Sequence, residues 1–242
     1  MIGAIIKYQV SIFSSAIGIR YDATNISYFL RELESLHLLP EPYQEMTPFG
    51  SETKLRMTSP SGLSIDFGSQ RIDIEQNAKD QSGSNIGELR QFCENVIFMA
   101  RVFSDKMGML PSRLALVTMY YLEDLPSEKL SKLYVKSINP IKFFEENDPV
   151  EWGTRTVARV NKTVNNIPEI VNVLVEISRI PGFFKHPDGS VTSLDKMRLQ
   201  IDTNTFHGNT TPRFNFDSIQ SFCHEAQGWQ NVVLNDVIDS LK

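Results

Sequence analysis

Acidic side chains are the first candidates for chemistry in this sequence. Asp66, Asp73 and Glu75 fall close together, Glu123 and Asp124 are adjacent, and Asp202 stands alone later in the chain. Two carboxylates in one cleft with separated pKa values can perform acid–base work, and with a divalent cation they can activate water. The spacing argues for a plainer role. In the run 71–75, Ile72 and Ile74 point to one side of an extended strand, and Arg71, Asp73 and Glu75 point to the other. These acids are therefore expected on a solvated sheet face opposite the core.

The other chemical signals are weaker. Of the four histidines, His37, His186, His207 and His224, only the last has another ligand type beside it, in Cys223-His224-Glu225. Neighbours on a helix point about 100° apart, which is poor geometry for chelation. Cys93 and Cys223 each sit in an apolar helical pattern, where a free thiol acts as a small buried hydrophobe. The segment Gly83-Ser-Asn-Ile-Gly87 opens a helix, and capping accounts for it more simply than anion binding. The chain has no nucleophile elbow, phosphate loop or dinucleotide fingerprint. No metal, cofactor or catalytic residue is expected.

Binding residues are easier to find. Phe183 and Phe184 follow Pro181-Gly182 in the stretch 179–195, which reads as a long loop tip. Trp152 follows the acidic turn 145–149. Aromatic residues exposed on loops favour protein contacts. Arg155, Arg159 and Lys162 form the densest basic stretch, and it is short. A net charge of −5 disfavours a general nucleic-acid role.

The elements that must position these residues follow from composition and periodicity. The chain has 242 residues, 41% hydrophobic and 22% charged, which is enough for a sizeable core. Two cysteines are too few for a disulfide framework, so a reducing cytoplasm is expected. At the N-terminus Ile2, Ala4, Ile6, Tyr8, Val10 and Ile12 share one parity. That pattern predicts a strand rather than a signal peptide, and no run is long enough for a membrane span.

Helical spacing then predicts a helix from Asn25, as N-cap, to Leu36, and a loop over 41–51. Three short strands are expected over 53–59, 63–67 and 70–77. A long helix opened by an Asn85/Glu88 capping box should end near Gly108. The apolar run 113–122 reads as a central strand, followed by a short helix over 127–138. Strands over 154–164, 169–180 and 196–205 precede a final helix through Ile219, Cys223 and Ala226.

The stretch from Pro60 to Asn77 aligns without a gap onto Pro187 to Asn204, with proline, glycine, arginine, isoleucine and asparagine coinciding. With matching helices behind each stretch, this leads to an α+β expectation. It consists of two related β-α-β-meander-α halves, residues 1–111 and 112–242, with mostly antiparallel sheet and packed long helices. One continuous domain is the alternative.

The order of features also resembles a sporadically distributed family of uncharacterised bacterial proteins of about this length. The resemblance rests on Pro60-Ser61-Gly62, on the strand from Arg113 to Tyr120, and on Leu199-Gln-Ile-Asp202 followed by Ile219 to His224. Val117 stands where that family's strand has a second arginine, and its asparagine is absent. The resemblance implies a duplicated α+β bacterial protein and no particular activity.

The functional expectation is a non-catalytic protein-interaction or adaptor protein. It would bind a protein partner through a sheet face, an edge strand or the Phe183/Phe184 segment, with homo-oligomerisation open. By analogy, such a protein would serve a bacterial defence or toxin-neutralising system. One alternative is a metal-dependent hydrolase or nuclease using Asp66, Asp73, Glu75 or Asp202. Another is a chaperone-like binder of unfolded segments.

Overall fold

The computed structural model describes residues 2–15, 17–48, 50–79, 86–123, 126, 128–130, 134–135, 142–147, 149–185 and 189–240; of 145, 183–185 and 192–194 it describes the backbone alone. The chain order is β1 (Ile2–Phe13), α1 (Ala23–Glu32), β2 (Leu39–Thr47), β3 (Gly50–Thr58), β4 (Leu63–Phe67), β5 (Arg71–Asn77) and α2 (Leu89–Met107). Then follow β6 (Arg113–Leu122), a short α3 (Lys142–Glu146), β7 (Trp152–Val164), β8 (Ile167–Lys185), β9 (Val191–Thr205) and α4 (Phe216–Ser240). Among the described residues no helix is long and apolar enough to cross a membrane.

All nine strands form one sheet in the order β2-β3-β4-β5-β1-β6-β9-β8-β7, and every described pairing is antiparallel. This corrects the expectation of two related halves with packed long helices. β1 pairs with β6 from Ile2↔Leu122 to Phe13↔Arg113, so the sheet runs unbroken across its middle. One apolar cluster joins Tyr8, Val10 and Phe29 to Phe214, Phe222 and Ala226. The aligned stretches also differ in form. Residues 60–77 make the β4–β5 hairpin, whereas the stretch aligned with the Gly68-Ser69 turn, Asp195-Lys196, lies inside the uninterrupted β9. Short coincidences of turn and strand residues arise wherever strands alternate, and they did not report a shared structure.

The core lies on one face of the sheet. Phe29 of α1 stacks on Phe67 of β4 at 4.7 Å, and Phe103 of α2 meets both edge-on at 5.9 and 5.3 Å. α4 is tied to the sheet by a buried polar clamp. Thr118 Oγ1 donates to Gln230 Oε1 at 2.7 Å, and Gln230 Nε2 donates to the Leu116 carbonyl at 2.7 Å. Such groups are tolerated in a core only when paired.

Several boundaries differ from the sequence reading. Asp22, not Asn25, caps α1: it accepts from the Asn25 backbone N–H at 2.9 Å. Edge strand β2 runs into the expected loop 41–51 as far as Thr47, and Pro40 and Pro42 are tolerated in it because an edge has N–H groups with no ladder to join. α2 begins after Glu88, which makes no side-chain cap, and Asn85 lies outside the described residues. Its end at Gly108 is as expected, in the left-handed region at φ 59°. The helix expected over 127–138 falls largely outside the described residues. Most of the stretch 179–195 is strand: β8 reaches Lys185 and β9 begins at Val191, with Phe183 opposite Ser193, while residues 186–188 lie outside the described ones. At the other end of β8, Asn165 and Asn166 both take positive φ, 46° and 63°, in the two-residue turn from β7.

Candidate arginine-lined cleft

The sheet face opposite the helices is polar, because strands with apolar residues on one parity carry polar ones on the other. Asp66, Asp73, Glu75 and Asp202 all lie on this face, as the parity of Ile72 and Ile74 requires. Three of the four acids are neutralised in pairs. Arg56 grips Asp66 bidentately at 2.5 and 2.6 Å. Asp73 accepts from Ser11 Oγ at 2.5 Å and pairs with Arg71 at 2.6 Å. Glu75 pairs with Lys7 at 2.6 Å. Among the described residues no group of three or more His, Cys, Asp or Glu side chains is placed to hold a metal ion.

Asp202 sits in a different setting. The register sets Val117 of β6 and Leu174 of β8 opposite it, and β7 brings Val157 opposite Leu174. Arg155 and Arg159 flank Val157 two residues away on either side, so strand periodicity places both on the same face. Arg113 enters from the start of β6 and His207 from just beyond β9. Together with Asn172 and Asn204 they line a cleft of about 310 Å³.

A relay of hydrogen bonds crosses its floor. Arg159 Nε donates to Asn172 Oδ1 at 3.3 Å, Asn172 Nδ2 donates to Asn204 Oδ1 at 3.0 Å, and Asn204 Nδ2 donates to Asp202 Oδ1 at 2.9 Å. The relay fixes the direction of both amides. Arg159 also lies 5.0 Å from the centre of the Phe206 ring, and Arg113 lies 4.6 Å from that of Phe13.

The charges are unbalanced. Among the described residues none of the three arginines forms an ion pair, and the buried Arg113 Nε has no hydrogen-bond partner. Burial raises the Asp202 carboxyl above its ordinary value, against the opposing pull of Asn204, Arg113 and Arg155. Burial likewise lowers the Arg113 guanidinium, against the pull of Asp202. A cleft with three cations and one reluctant anion is suited to a ligand that brings negative charge.

Comparisons with protein families, curated proteins and solved structures return no match.

The remaining sequence candidates are dispersed. Lys162 is on the other face of β7, 5.2 Å from the Trp229 ring of α4, and so takes no part in the cleft. Trp152 is buried against Tyr134, ring centres 5.7 Å apart, and belongs to a second apolar cluster with Met197 and Leu199. The backbones of Phe183 and Phe184 lie in β8, and their side chains lie outside the described residues. Asp124, His186 and residues 83–85 also lie outside them. Cys93 and Cys223 are both buried in the core, and burial pushes the Cys93 thiol up to about 12. His224 is exposed while its neighbour Cys223 is buried.

Sequence reasoning passed over Arg113, Asn172 and Asn204. The signal was their parity: each is a polar residue on the outward side of a strand whose other side is core. From the sequence His207 reads only as a possible metal ligand, and in the structure it lines the cleft.

Proposed function

We propose that this chain is a non-catalytic binding protein that receives an acidic protein partner on the open face of its sheet, in the cleft lined by Arg113, Arg155 and Arg159. The observation that carries this reading is the charge imbalance of the cleft lining: among the described residues Arg113, Arg155 and Arg159 form no ion pair, Asp202 is the one lining carboxylate, and Glu176, opposite Arg155 in register, is held by Arg198. Guanidinium donors in a fixed fork suit carboxylate recognition, and charge complementarity gives specificity and fast encounter. Elsewhere on the same face Arg56, Arg71 and Arg198 are each matched with a carboxylate, which leaves this cleft as the place where added negative charge is favoured.

Fluorescently labelled polyglutamate, a flexible acidic chain, provides the test. It is expected to bind saturably to the wild-type protein, and at least about tenfold more weakly to an Arg155→Glu/Arg159→Glu variant. Equal affinity for the two proteins would overturn the reading.

A further inference from the structure

The two edges of the sheet are built differently. β2, at one end, carries Pro40 and Pro42, which lack the N–H that another strand would need. β7, at the other end, has thirteen residues and no proline. Among the described residues no strand pairs with its outer side. Its centre is uncovered on both parities, since Thr156, Val157, Ala158 and Arg159 are all exposed. A long edge strand of this kind presents a ladder of unpaired backbone donors and acceptors.

Charge decides what can occupy it. From Trp152 to Val164 the strand carries Arg155, Arg159 and Lys162 and no acidic residue. Pairing β7 with β7 of a second copy in the antiparallel register centred on Val157 would set Arg155 against the other copy's equivalent of Arg159. Like charges directly opposite are destabilising. An acidic extended segment meets the reverse situation: its side chains on the cleft face recur every second residue, the spacing that relates Arg155, Val157 and Arg159.

Resting on the proposed binding function, we infer that the partner enters as an extended acidic segment that adds to β7 as a tenth strand. Backbone hydrogen bonds along the edge supply affinity, and alternate acidic side chains reach Arg155 and Arg159 at the rim of the cleft. The segment is thereby read by its strand geometry as well as its charge.

The probes are a peptide of about ten residues alternating valine with glutamate, and polyglutamate of equal charge. Two variants are needed, Val157→Pro and Ala158→Pro. Along an antiparallel edge the N–H groups alternate between facing the neighbour and facing solvent, so one proline removes an outward donor and the other breaks the ladder to β8. Thermal melting identifies the outward one, which keeps the wild-type transition.

The alternating peptide is expected to bind wild type at least about tenfold more tightly than polyglutamate. The outward proline should abolish that difference, with both probes measured on the same variant. If polyglutamate binds but the alternating peptide does no better, or the proline has no effect, strand addition is overturned and the cleft reading survives. A proline-sensitive dimer of the free protein in sedimentation would also overturn it, in favour of pairing between copies.

Discussion

The side-chain amide of Asn172 donates to Asn204 Oδ1 at 3.0 Å, and both residues are buried on the polar face of the sheet. This bond links β8 to β9 beneath the cleft and holds both amides so that Arg159 and Asp202 each find a partner. Asn172→Ala removes it and leaves the Asn204 oxygen without its donor. An orphaned buried acceptor costs about 1–3 kcal/mol. Chemical denaturation of the variant should show a loss in that range, together with weaker binding of acidic probes.

Gln230 is the counterpart on the core side. Gln230→Ala leaves the Thr118 hydroxyl without its acceptor and takes one donor from the Leu116 carbonyl, in an apolar interior. Denaturation should register a loss of about 1–3 kcal/mol or more, as a cavity is added to the lost bonds. A companion Thr118→Val/Gln230→Leu variant, which removes both partners together, should recover part of that loss. Failure to recover any of it would show that packing alone, not polar pairing, is at stake.

Trp152 offers a contrast between binding and packing. Because it lies in an apolar cluster with Tyr134, Met197 and Leu199, Trp152→Ala should cost about 3–5 kcal/mol of stability. At a temperature where the variant is folded, its affinity for polyglutamate should equal that of wild type. A selective loss of binding with unchanged stability would return Trp152 to the interaction surface.

Asp202 makes stability depend on pH in a definite direction. Its folded-state pKa is raised, first by burial, above the ordinary aspartate value of about 4. The folded protein therefore holds this proton more tightly than the unfolded chain does. The resulting stabilisation is complete below the unfolded pKa and is lost as pH rises through the folded one. Asp202→Asn carries no charge at any pH, so its stability should gain on wild type as pH is raised from about 3 to 7. At neutral pH it should also bind polyglutamate more tightly, since the one negative charge of the cleft is gone. A variant that instead loses ground as pH rises would mean that Arg113 and Arg155 stabilise the carboxylate.

How far these features could be read in the sequence depends on the distance over which each is decided. The strand parity of Arg71 to Glu75 is local, and it correctly put the acids opposite the core. The end of α2 at Gly108 is local too. The pairing of β1 with β6 joins residues about half the chain apart, and no periodicity reports it. The extent of β8 and β9 was missed because Pro181 and Gly182 are turn residues in most settings. Here they lie in the part of a two-stranded ribbon farthest from the β7 hairpin. For the cleft, Arg155 and Arg159 were legible as an i, i+4 pair on a strand. Lys162 differs from them in parity on that strand, and its contact with Trp229 of α4 shows that its side is the covered one. Arg113 looked like the flank of an apolar strand until β9 brought Asp202 beside it.

The most direct measurement is the arginine side-chain Nε–H spectrum of the isotopically labelled protein during titration with polyglutamate. The resonances of Arg113, Arg155 and Arg159 are expected to shift together and saturably, while those of Arg56 and Arg198, already held by Asp66 and Glu176, stay in place. Added salt should reverse the shifts, because exposed charges are screened over about 10 Å at 0.1 M ionic strength. Shifts confined to other arginines, or no shift at all, would contradict an acidic partner in this cleft.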